Sequence, residues 1–378
     1  MKEYDFINES ITATQKVQFI IDSSNDLEGL NRINFTSYDS GIIFCDKHLQ
    51  DSWYPEILKK LAPFLKIKNV NFLDASEETK GIESYVTLVN FLGNEKCTKN
   101  DVIIAIGGGT ILDVVSFLSS VFMRGIPLIM IPTTIIGQAD ASTAGKTCIN
   151  TSYAKNILGT LYLPEFVYNN VQILKTNTQY ENRQGFSEIF KYGLLGSTDL
   201  INLQIEYINK QSDNLMMKIL SETIKVRMKI RKKDPLASNL GHTFGHAIEK
   251  ITNYEVNHGD AISVGIVMAL EFSYLEGIIE KRIKNKIIEM METLRLNTKV
   301  SDNIDPGLLT KIMLTDKKST NSHIRLVLIN EIGKPYVNDE SYFYPVKPEK
   351  MEIFLLRFFD KSKYVAKNHW NTLRLNGI

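Results

Sequence analysis

The sequence predicts an α/β protein with an N-terminal doubly wound, Rossmann-like domain and a mostly α-helical C-terminal domain. Short β-branched runs alternate with helix-forming segments in the first part of the chain, and long amphipathic helical patterns replace them after about residue 172. With 378 residues, the chain is also too long for one ordinary hydrophobic core. We therefore expect residues 1–172 to form the first domain and residues 173–378 the second.

Three apolar segments predict the strands of the first domain. Residues 41–45 and 102–106 are short, β-branched and bounded by turn or charged residues, which is typical of buried parallel strands. Residues 127–132 are framed by prolines and predict a third strand. Residues 111–122 predict a helix between the second strand and the third, and a strand, a helix and a strand at this spacing form a βαβ unit.

The second domain is predicted to be helical. Residues 179–230 and 260–296 carry apolar side chains at steps of three and four, which indicates amphipathic helices. We expect one strand pair to interrupt them, formed by residues 324–329 and 336–338 with Gly333-Lys334-Pro335 as the turn.

The composition excludes several classes of protein. A net charge of +1 provides no electrostatic footprint for nucleic acid or an anionic membrane surface. The three cysteines, Cys45, Cys97 and Cys148, are scattered without metal-binding spacing, which is typical of reduced thiols. Neither a secretory signal nor an apolar run of membrane-spanning length is visible. We therefore expect a cytoplasmic protein with a small-molecule substrate.

Histidine is concentrated in one short segment. Three of the six histidines are His242, His246 and His258. His242 and His246 are four residues apart and would share one face of a helix, and His258 returns after a turn. Neutral imidazole is a good ligand for zinc or cobalt, and an open catalytic site usually adds a carboxylate. The alternative is a histidine pair packed in a core, with the third in a loop.

A glycine triplet indicates a nucleotide site. Gly107, Gly108 and Gly109 lie between a predicted strand and a predicted helix, where backbone amides and the helix dipole favour a pyrophosphate. Asp113 and residues 132–134 strengthen this interpretation. Asp46 follows the first strand, where a carboxylate binds a ribose diol or, alternatively, caps a helix.

A polar loop follows the third strand. Residues 138–147, together with Lys155 and Asn156, combine small residues with lysines suited to phosphate. An ordinary surface loop is the alternative.

These segments together resemble the dehydroquinate synthase family, the sugar phosphate cyclases, over about residues 40–340. No single motif is specific, but their order and spacing are. The resemblance implies a dehydroquinate synthase-like fold and one active site that uses bound NAD and a divalent metal, zinc or cobalt. The motifs, in chain order, are GGGTILD, MRG, PTT, QADASTAGKT, KNILG, SEIFKYG, NLGHTFGHAIE, NHGDA and DKK.

The resemblance also implies roles for individual residues. Glu188, His242 and His258 match the metal ligands, and His246 matches a histidine on the phosphate side. Arg124 matches an arginine that a neighbouring subunit donates, which implies a homodimer. Further substrate contacts are implied for Asp140, Lys146, Asn156, Lys191, Asn239 and Lys317. The implied NAD contacts are Asp46, Glu77, Lys80, Gly107, Gly108, Gly109, Asp113, Thr133, Thr134, Lys155, Thr176 and Glu181.

The implied reaction has no net redox change. NAD takes a hydride from a ring alcohol, phosphate leaves by β-elimination, the hydride returns, and an intramolecular aldol reaction closes a carbocycle. Cationic and polar side chains, among them Lys146 and His246, would stabilise the departing phosphate. The leading expectation is a 3-dehydroquinate synthase-like lyase. The alternatives are a cyclase of another sugar phosphate, such as a 2-deoxy-scyllo-inosose or valiolone synthase, a glycerol-phosphate or polyol dehydrogenase, and a non-catalytic paralogue.

One segment departs from the family pattern. Family members that act on the seven-carbon keto-acid phosphate hold its carboxylate with a lysine and an arginine that precede the first metal histidine. In this chain, residues 233–239 are shorter, and Pro235 stands in the place of the arginine, where it makes no bidentate contact. The lysine's counterpart is Lys225, Arg227 or Lys229. The basic segment 225–233 is therefore either a solvated helix face or a replacement anion site.

Overall fold

The computed structural model describes residues 2–9, 14–153, 155–234, 237–299, 304–315, 322–339 and 341–359. The chain divides into two compact units. The first consists of Met1–Gly185 and Ser212–Ser221, and the second of Phe186–Gln211 and Glu222–Ile378. The division into an N-terminal domain of residues 1–172 and a C-terminal domain of residues 173–378 stays a prediction.

The first unit contains a seven-stranded sheet in the order β1-β2-β7-β6-β5-β3-β4. The pair β1–β2 is antiparallel, and the six strands from β2 to β4 run parallel. This parallel sheet confirms the predicted doubly wound α/β architecture. The strands are β1 (Lys2–Glu9), β2 (Thr14–Asp22), β3 (Gly41–Asp46), β4 (Ile67–Leu73), β5 (Val102–Gly107), β6 (Leu128–Pro132) and β7 (Phe166–Asn170).

The order of the strands defines a switch point between β3 and β5. The chain runs from β3 outward to β4 and then returns to β5 on the opposite side of β3. In open parallel sheets, ligands bind at such a point, beyond the carboxyl ends of the strands. Asp46 ends β3 and Gly107 ends β5, so both predicted nucleotide residues lie at this edge.

Four helices accompany this sheet. The predicted helix between the second and third apolar segments is confirmed as α3, although it begins two residues earlier than expected and ends one residue earlier. The helices are α1 (Trp53–Leu61), α2 (Ile82–Asn94), α3 (Gly109–Val121) and the short α4 (Ser142–Ala144).

Helices dominate the rest of the chain, as predicted. Within the described residues, no helix has the length and apolarity needed to cross a membrane. The helices are α5 (Gln179–Gly196), α6 (Thr198–Lys210), α7 (Asp213–Lys233), α8 (His242–Ile251), α9 (His258–Leu275), α10 (Lys281–Thr293), α11 (Pro306–Leu314) and α12 (Pro348–Phe359).

The strand pair expected in the second domain was predicted wrongly. Two pairs form instead: β8 (Ile324–Leu326) pairs with β11 (Tyr344–Val346), and β9 (Ile329–Glu331) pairs with β10 (Lys334–Pro335). The turn is tighter than expected because Gly333 takes a φ of +82°, which places Lys334 and Pro335 in the returning strand. Pro335 has no amide hydrogen to donate, and β10 ends there.

Helices α8 and α9 contact each other through glycines. A Cβ on Gly265 would collide with the carbonyl oxygen of Gly241, and one on Gly245 would lie 2.7 Å from Cδ1 of Ile262. Gly241 also has a φ of +76° at the start of α8, a conformation that glycine adopts without strain. The two backbones therefore pack directly on each other, and this contact fixes the residues that begin each helix.

Candidate functional site

Glu188, His242 and His258 come together in the second unit. Glu188 lies on α5 and is fully buried, and the histidines are the first residues of α8 and α9. One ligand atom from each side chain lies within 4.8 Å of the others. Nε2 of His258 is 3.2 Å from Oε1 of Glu188, and Nε2 of His242 is 3.5 Å from the same oxygen. The structure thus brings together the three residues expected to bind a metal.

The orientation of both rings fits an ion. Nδ1 of His242 lies 3.1 Å from the carbonyl oxygen of Leu240, and Nδ1 of His258 lies 3.2 Å from Oε1 of Glu249. Because each Nδ1 lies beside an acceptor, Nε2 is the nitrogen that faces Glu188 and suits a bond to a metal. Oε1 of Glu188 is buried and accepts no hydrogen bond from the described residues. Two ring nitrogens and this carboxylate oxygen therefore converge, and each can donate an electron pair to a metal. Such a set suits a divalent cation such as zinc or cobalt.

A lysine balances the charge of the buried carboxylate. Lys191, one turn further along α5, donates to Oε2 of Glu188, and both side chains are buried. Burial alone would raise the pKa of Glu188, but the charge of Lys191 and the proximity of His258 outweigh it and hold that pKa below its usual range. Burial would lower the pKa of His258, whereas Glu188 and Glu249 raise it.

We call Glu188, His242 and His258 the metal cluster. Of the other predicted residues, His246 lies beside this cluster and Asn239 precedes α8 in the chain. The ring of His246 is exposed, with its centroid 5.3 Å from that of His242 and 6.1 Å from that of His258. Asn239 is buried in a short turn just before α8. Lys317 lies outside the described residues, as does Pro235.

Glu249 is the residue at this site that the sequence analysis did not identify. It lies on α8 three residues after His246 and seven after His242, so all three share one helix face. That spacing was the available signal.

The basic segment of α7 has two kinds of side chain. Arg227 is buried, and its Cζ lies 5.6 Å from the centre of the Tyr192 ring, while Arg231 is partly buried. The four lysines, Lys225, Lys229, Lys232 and Lys233, are exposed. The lysines therefore form a solvated face, and the arginines point toward the protein interior.

The glycine triplet forms a strand-to-helix turn in the first unit. Gly107 ends β5, and Gly108 precedes α3 in an extended conformation. The amide of Thr133 donates to the carbonyl oxygen of Gly107 at 3.0 Å, and a Cβ on Gly108 would lie 3.1 Å from Cγ2 of Thr134. The triplet and the Thr133–Thr134 segment therefore lie side by side at the sheet edge, with the N-terminus of α3 open to a ligand.

Asp46 caps a short helix. Its carboxylate accepts from the amide of His48 at 3.0 Å. The contact seen here is therefore that of a helix cap. Asp46 also lies at the switch point of the sheet, where a carboxylate that binds a ribose is expected.

Several predicted residues form one polar network around Lys80, which is 4% exposed. Its Nζ lies 2.8 Å from Oδ2 of Asp113, 2.6 Å from Oδ1 of Asn156 and 3.5 Å from Sγ of Cys148. Burial would lower the pKa of Lys80, but Asp113 outweighs it, and the pKa is raised. Glu77 joins the same region, with Oε2 lying 3.4 Å from Nζ of Lys155 and accepting from Asn150.

The remaining predicted residues occupy separate places. Asp140 is partly buried in an irregular turn before α4, and Lys146 is exposed after it. The hydroxyl of Thr176 donates to the carbonyl oxygen of Ile173, and Glu181 accepts from the amide of Thr178 at the start of α5. Arg124 is exposed in a left-handed turn with φ of 65°.

Known proteins resemble this chain over most of its length. Residues 70–184 match the N-terminal domain of 3-dehydroquinate synthase, and residues 185–319 match its C-terminal domain. The 3-dehydroquinate synthase of Ruthia magnifica subsp. Calyptogena magnifica is 34% identical over 275 residues, which cover 70% of this chain and 77% of that protein. The enzyme of Legionella pneumophila (strain Lens) is 35% identical over 282 residues, 72% of this chain and 76% of its own.

Solved structures share the fold. A 2-deoxy-scyllo-inosose synthase complexed with carbaglucose-6-phosphate, NAD+ and Co2+ superimposes with a TM-score of 0.80 at 21% identity, covering 93% of this chain and 99% of that one. A 2-epi-5-epi-valiolone synthase from Streptomyces hygroscopicus subsp. jinggangensis 5008, with NAD+ and Zn2+ bound, gives 0.78 at 20% identity and covers 92% and 98%. Matches to both family domains and relatives at about one-third identity agree with the motifs and the fold, and the chain belongs to the dehydroquinate synthase family.

Proposed function

We propose that the protein is a sugar phosphate cyclase that uses NAD and a divalent metal, and that 3-dehydroquinate synthase is its specific activity. The convergence of Glu188, His242 and His258 carries this proposal, because two neutral imidazoles and a carboxylate form an open catalytic metal site. Relatives named 3-dehydroquinate synthase support it. NAD together with cobalt or zinc, bound in two proteins of the same fold, supports both cofactors.

The metal cluster would hold zinc or cobalt through Oε1 of Glu188 and Nε2 of each histidine. When bound, the ion lowers the pKa of a substrate hydroxyl and polarises a ketone, while NAD accepts and returns a hydride. The protein's own contribution is orientation and charge. Lys191 neutralises the second oxygen of Glu188, and Leu240 and Glu249 fix the ring orientations, so the ligands need no rearrangement.

The nucleotide would bind at the sheet edge of the first unit. The amides at the start of α3 suit the pyrophosphate, and Asp46 suits a ribose. We assign the network of Glu77, Lys80, Asp113 and Lys155 to this cofactor, and Thr133, Thr134, Thr176 and Glu181 to its surroundings.

Substrate contacts are proposed for residues of both units. Lys146, Asn156, His246 and Lys317 are assigned to the phosphate, whose growing negative charge cationic and polar groups stabilise as the C–O bond breaks. Asp140, Lys191 and Asn239 are assigned to the sugar hydroxyls. The departing phosphate itself would remove the proton from the adjacent carbon, which requires no separate base.

We propose a homodimer, in a cytoplasmic protein with reduced thiols. Arg124 is exposed, and two apolar side chains of the same region are exposed too, Met123 at 45% and Leu161 at 74%. The hydroxyl of Tyr162 donates to the carbonyl oxygen of Ile126 at 2.6 Å, which holds the Leu161 segment beside the Arg124 turn. An arginine within an apolar patch suits a second copy that receives this arginine in its own active site.

A different sugar phosphate is the second candidate substrate class. Pro235 stands where carboxylate-binding relatives have an arginine, which favours a neutral sugar. Arg227 is buried beside the Tyr192 ring, and Lys191 lies over the same ring. A buried guanidinium at this place favours a substrate with an anionic group. We give the carboxylate substrate precedence because a buried guanidinium binds a carboxylate in a bidentate way.

The test is to offer the seven-carbon keto-acid phosphate and glucose 6-phosphate separately with NAD and zinc, and to follow both phosphate release and nicotinamide absorbance. We expect phosphate release from the keto acid without net NADH. Glu188→Gln should abolish release, whereas Glu206→Gln, at a partly exposed site on α6, should not change it. Accumulated NADH would instead indicate a dehydrogenase, and release from glucose 6-phosphate alone would leave the cyclase but overturn the assigned substrate.

A further inference from the structure

We infer that Glu249 is a positioning residue that determines which ring nitrogen His258 offers to the metal. Oε1 of Glu249 lies 3.2 Å from Nδ1 of His258, and Nε2 of the same ring lies 3.2 Å from Oε1 of Glu188. The ring thus joins two carboxylates through its two nitrogens. This inference rests on the proposed metal site and adds a residue to it.

Glu249 is placed to hold this contact with little freedom. Its side chain is 16% exposed on α8, and the ring it contacts begins α9. The glycine contact between the two helices fixes the distance between these backbones, so the carboxylate and the ring face each other without either helix moving. A carboxylate that accepts from a metal-binding histidine fixes the tautomer and raises the basicity of the ligand nitrogen.

The two histidine ligands are supported differently. Nδ1 of His242 faces a neutral backbone carbonyl at Leu240, whereas Nδ1 of His258 faces a charged side chain. His258 is also the more exposed of the two, at 38% against 12%. The more exposed ligand therefore depends on a side chain for its orientation, and a substitution can remove that support.

A second ion is the competing interpretation of Glu249. His246, Glu249 and His258 also offer ligand atoms within 4.8 Å of one another. If ions bound on both sides of His258, the ring would have to lose both of its N–H protons, which is far less favourable than one N–H that donates to Glu249. Among the described residues, the geometry therefore points to one ion with a supporting carboxylate.

The experiment measures metal binding directly. Zinc affinity is determined by competition with a chromophoric chelator, and bound metal per chain by elemental analysis, for the wild type, Glu249→Gln and Glu249→Ala. We expect affinity to fall about 10–100-fold in Glu249→Ala and less in Glu249→Gln, whose amide oxygen still accepts, with one ion per chain throughout. The visible bands of the cobalt form should shift. Glu255→Gln, an exposed carboxylate in the turn before α9, is the matched control and should change neither quantity.

Each other outcome has a distinct meaning. Unchanged affinity and unchanged cobalt bands in both Glu249 variants would overturn the inference while the metal site stands. A fall from two ions to one would show that Glu249 is a ligand of a second ion. If the wild type bound no ion, or Glu188→Gln left its affinity intact, the proposed function would fail first. Circular dichroism of the metal-free variants establishes that they are folded.

Discussion

Lys191 donates to one oxygen of Glu188 while the other oxygen of that carboxylate faces His242 and His258. Both members of the pair are buried on successive turns of α5. One oxygen of the carboxylate therefore faces a permanent cation, Lys191, and the other is the oxygen that we propose for the metal ion. The positive charge of Lys191 balances the carboxylate even without a metal ion. An ion at the proposed site would add positive charge beside Oε1.

Lys191→Met should destabilise the protein more when metal is absent. Removing one partner of a buried ion pair costs about 3–5 kcal/mol because the remaining charge is unpaired. In saturating zinc the loss should shrink, since the ion then faces Glu188. The free energy of unfolding in urea, measured with chelator and with zinc, checks this. Lys210→Met removes an exposed pair with Glu206 and should cost at most about 1 kcal/mol. Equal losses of Lys191→Met in both conditions would contradict the expectation.

Lys80→Ala should weaken NAD binding. The variant leaves the Asp113 carboxylate without its 2.8 Å contact at the start of α3, and hydrogen bonds to charged groups contribute about 1.5–3 kcal/mol. That range corresponds to a Kd raised roughly 10–100-fold, measured by calorimetric titration with NAD. The matched control is Lys60→Ala, which removes a pair with the exposed Asp26. If both variants bound NAD as tightly as the wild type, the network would not belong to the nucleotide site.

Cys148 should react slowly with iodoacetamide. Burial and the neighbouring Asp113 raise the pKa of its thiol to about 12, so almost none is thiolate at pH 8. We expect alkylation at least about 100-fold slower than that of glutathione. Asp113→Asn removes a charge that raises this pKa and should accelerate labelling, measured by peptide mass spectrometry. Asp51→Asn, at an exposed aspartate, should leave the rate unchanged, and rapid labelling of the wild type would refute the assignment.

Asp22 should stabilise the first unit in a pH-dependent way. Its carboxylate accepts from Ser24, Gly29 and Tyr168. Burial would raise its pKa, but these hydrogen bonds outweigh it and lower the pKa. A lowered pKa in the folded state means that the stabilisation is complete above about pH 4, the unfolded value, and declines as the pH falls below it.

The corresponding variant is Asp22→Asn, which should cost about 1.5–3 kcal/mol at pH 7. The difference from wild type should shrink as urea unfolding is repeated from pH 7 toward pH 3. Asp26→Asn, whose carboxylate is exposed, should stay within about 0.5 kcal/mol of wild type. A difference that did not change with pH would count against the charged hydrogen bonds.

Leu161→Asp should convert the proposed dimer to a monomer. The side chain is 74% exposed, and a charge there opposes burial against a second copy. Sedimentation velocity at micromolar concentration measures the mass. Leu308→Asp, at a 48% exposed position in the second unit, should leave it unchanged. A wild type that sediments as a monomer would reject the interface.

Strands with continuous apolar runs were predictable, and those with buried polar residues were not. β3, β5 and β6 follow the hydropathy pattern, and their side chains are buried. β7 ends in Asn169 and Asn170, which are fully buried although both are polar. Asn170 donates to the carbonyl oxygen of Ser24, a partner far away in sequence. Hydropathy along the chain contains no sign of such a partner.

The metal cluster was predictable only in part. The spacing of His242 and His246 indicated one helix face, and the structure confirms that helix as α8. Glu188 lies far away in sequence, so spacing alone could not associate it with the histidines, and the family resemblance did. Glu249 remained unidentified because its partner, His258, lies across a turn whose geometry the sequence does not define.

The glycine contact between α8 and α9 also bears on how the proposed metal ion would be released. A Cβ on Gly265 would collide with the carbonyl oxygen of Gly241, so the two backbones are packed without space between them. If the ion binds as proposed, rotation of a side chain would open its coordination sphere with the least movement, and the partly exposed His258 is the proposed ligand with room to turn. Metal exchange would then begin at His258 and proceed while the helical framework keeps its native arrangement.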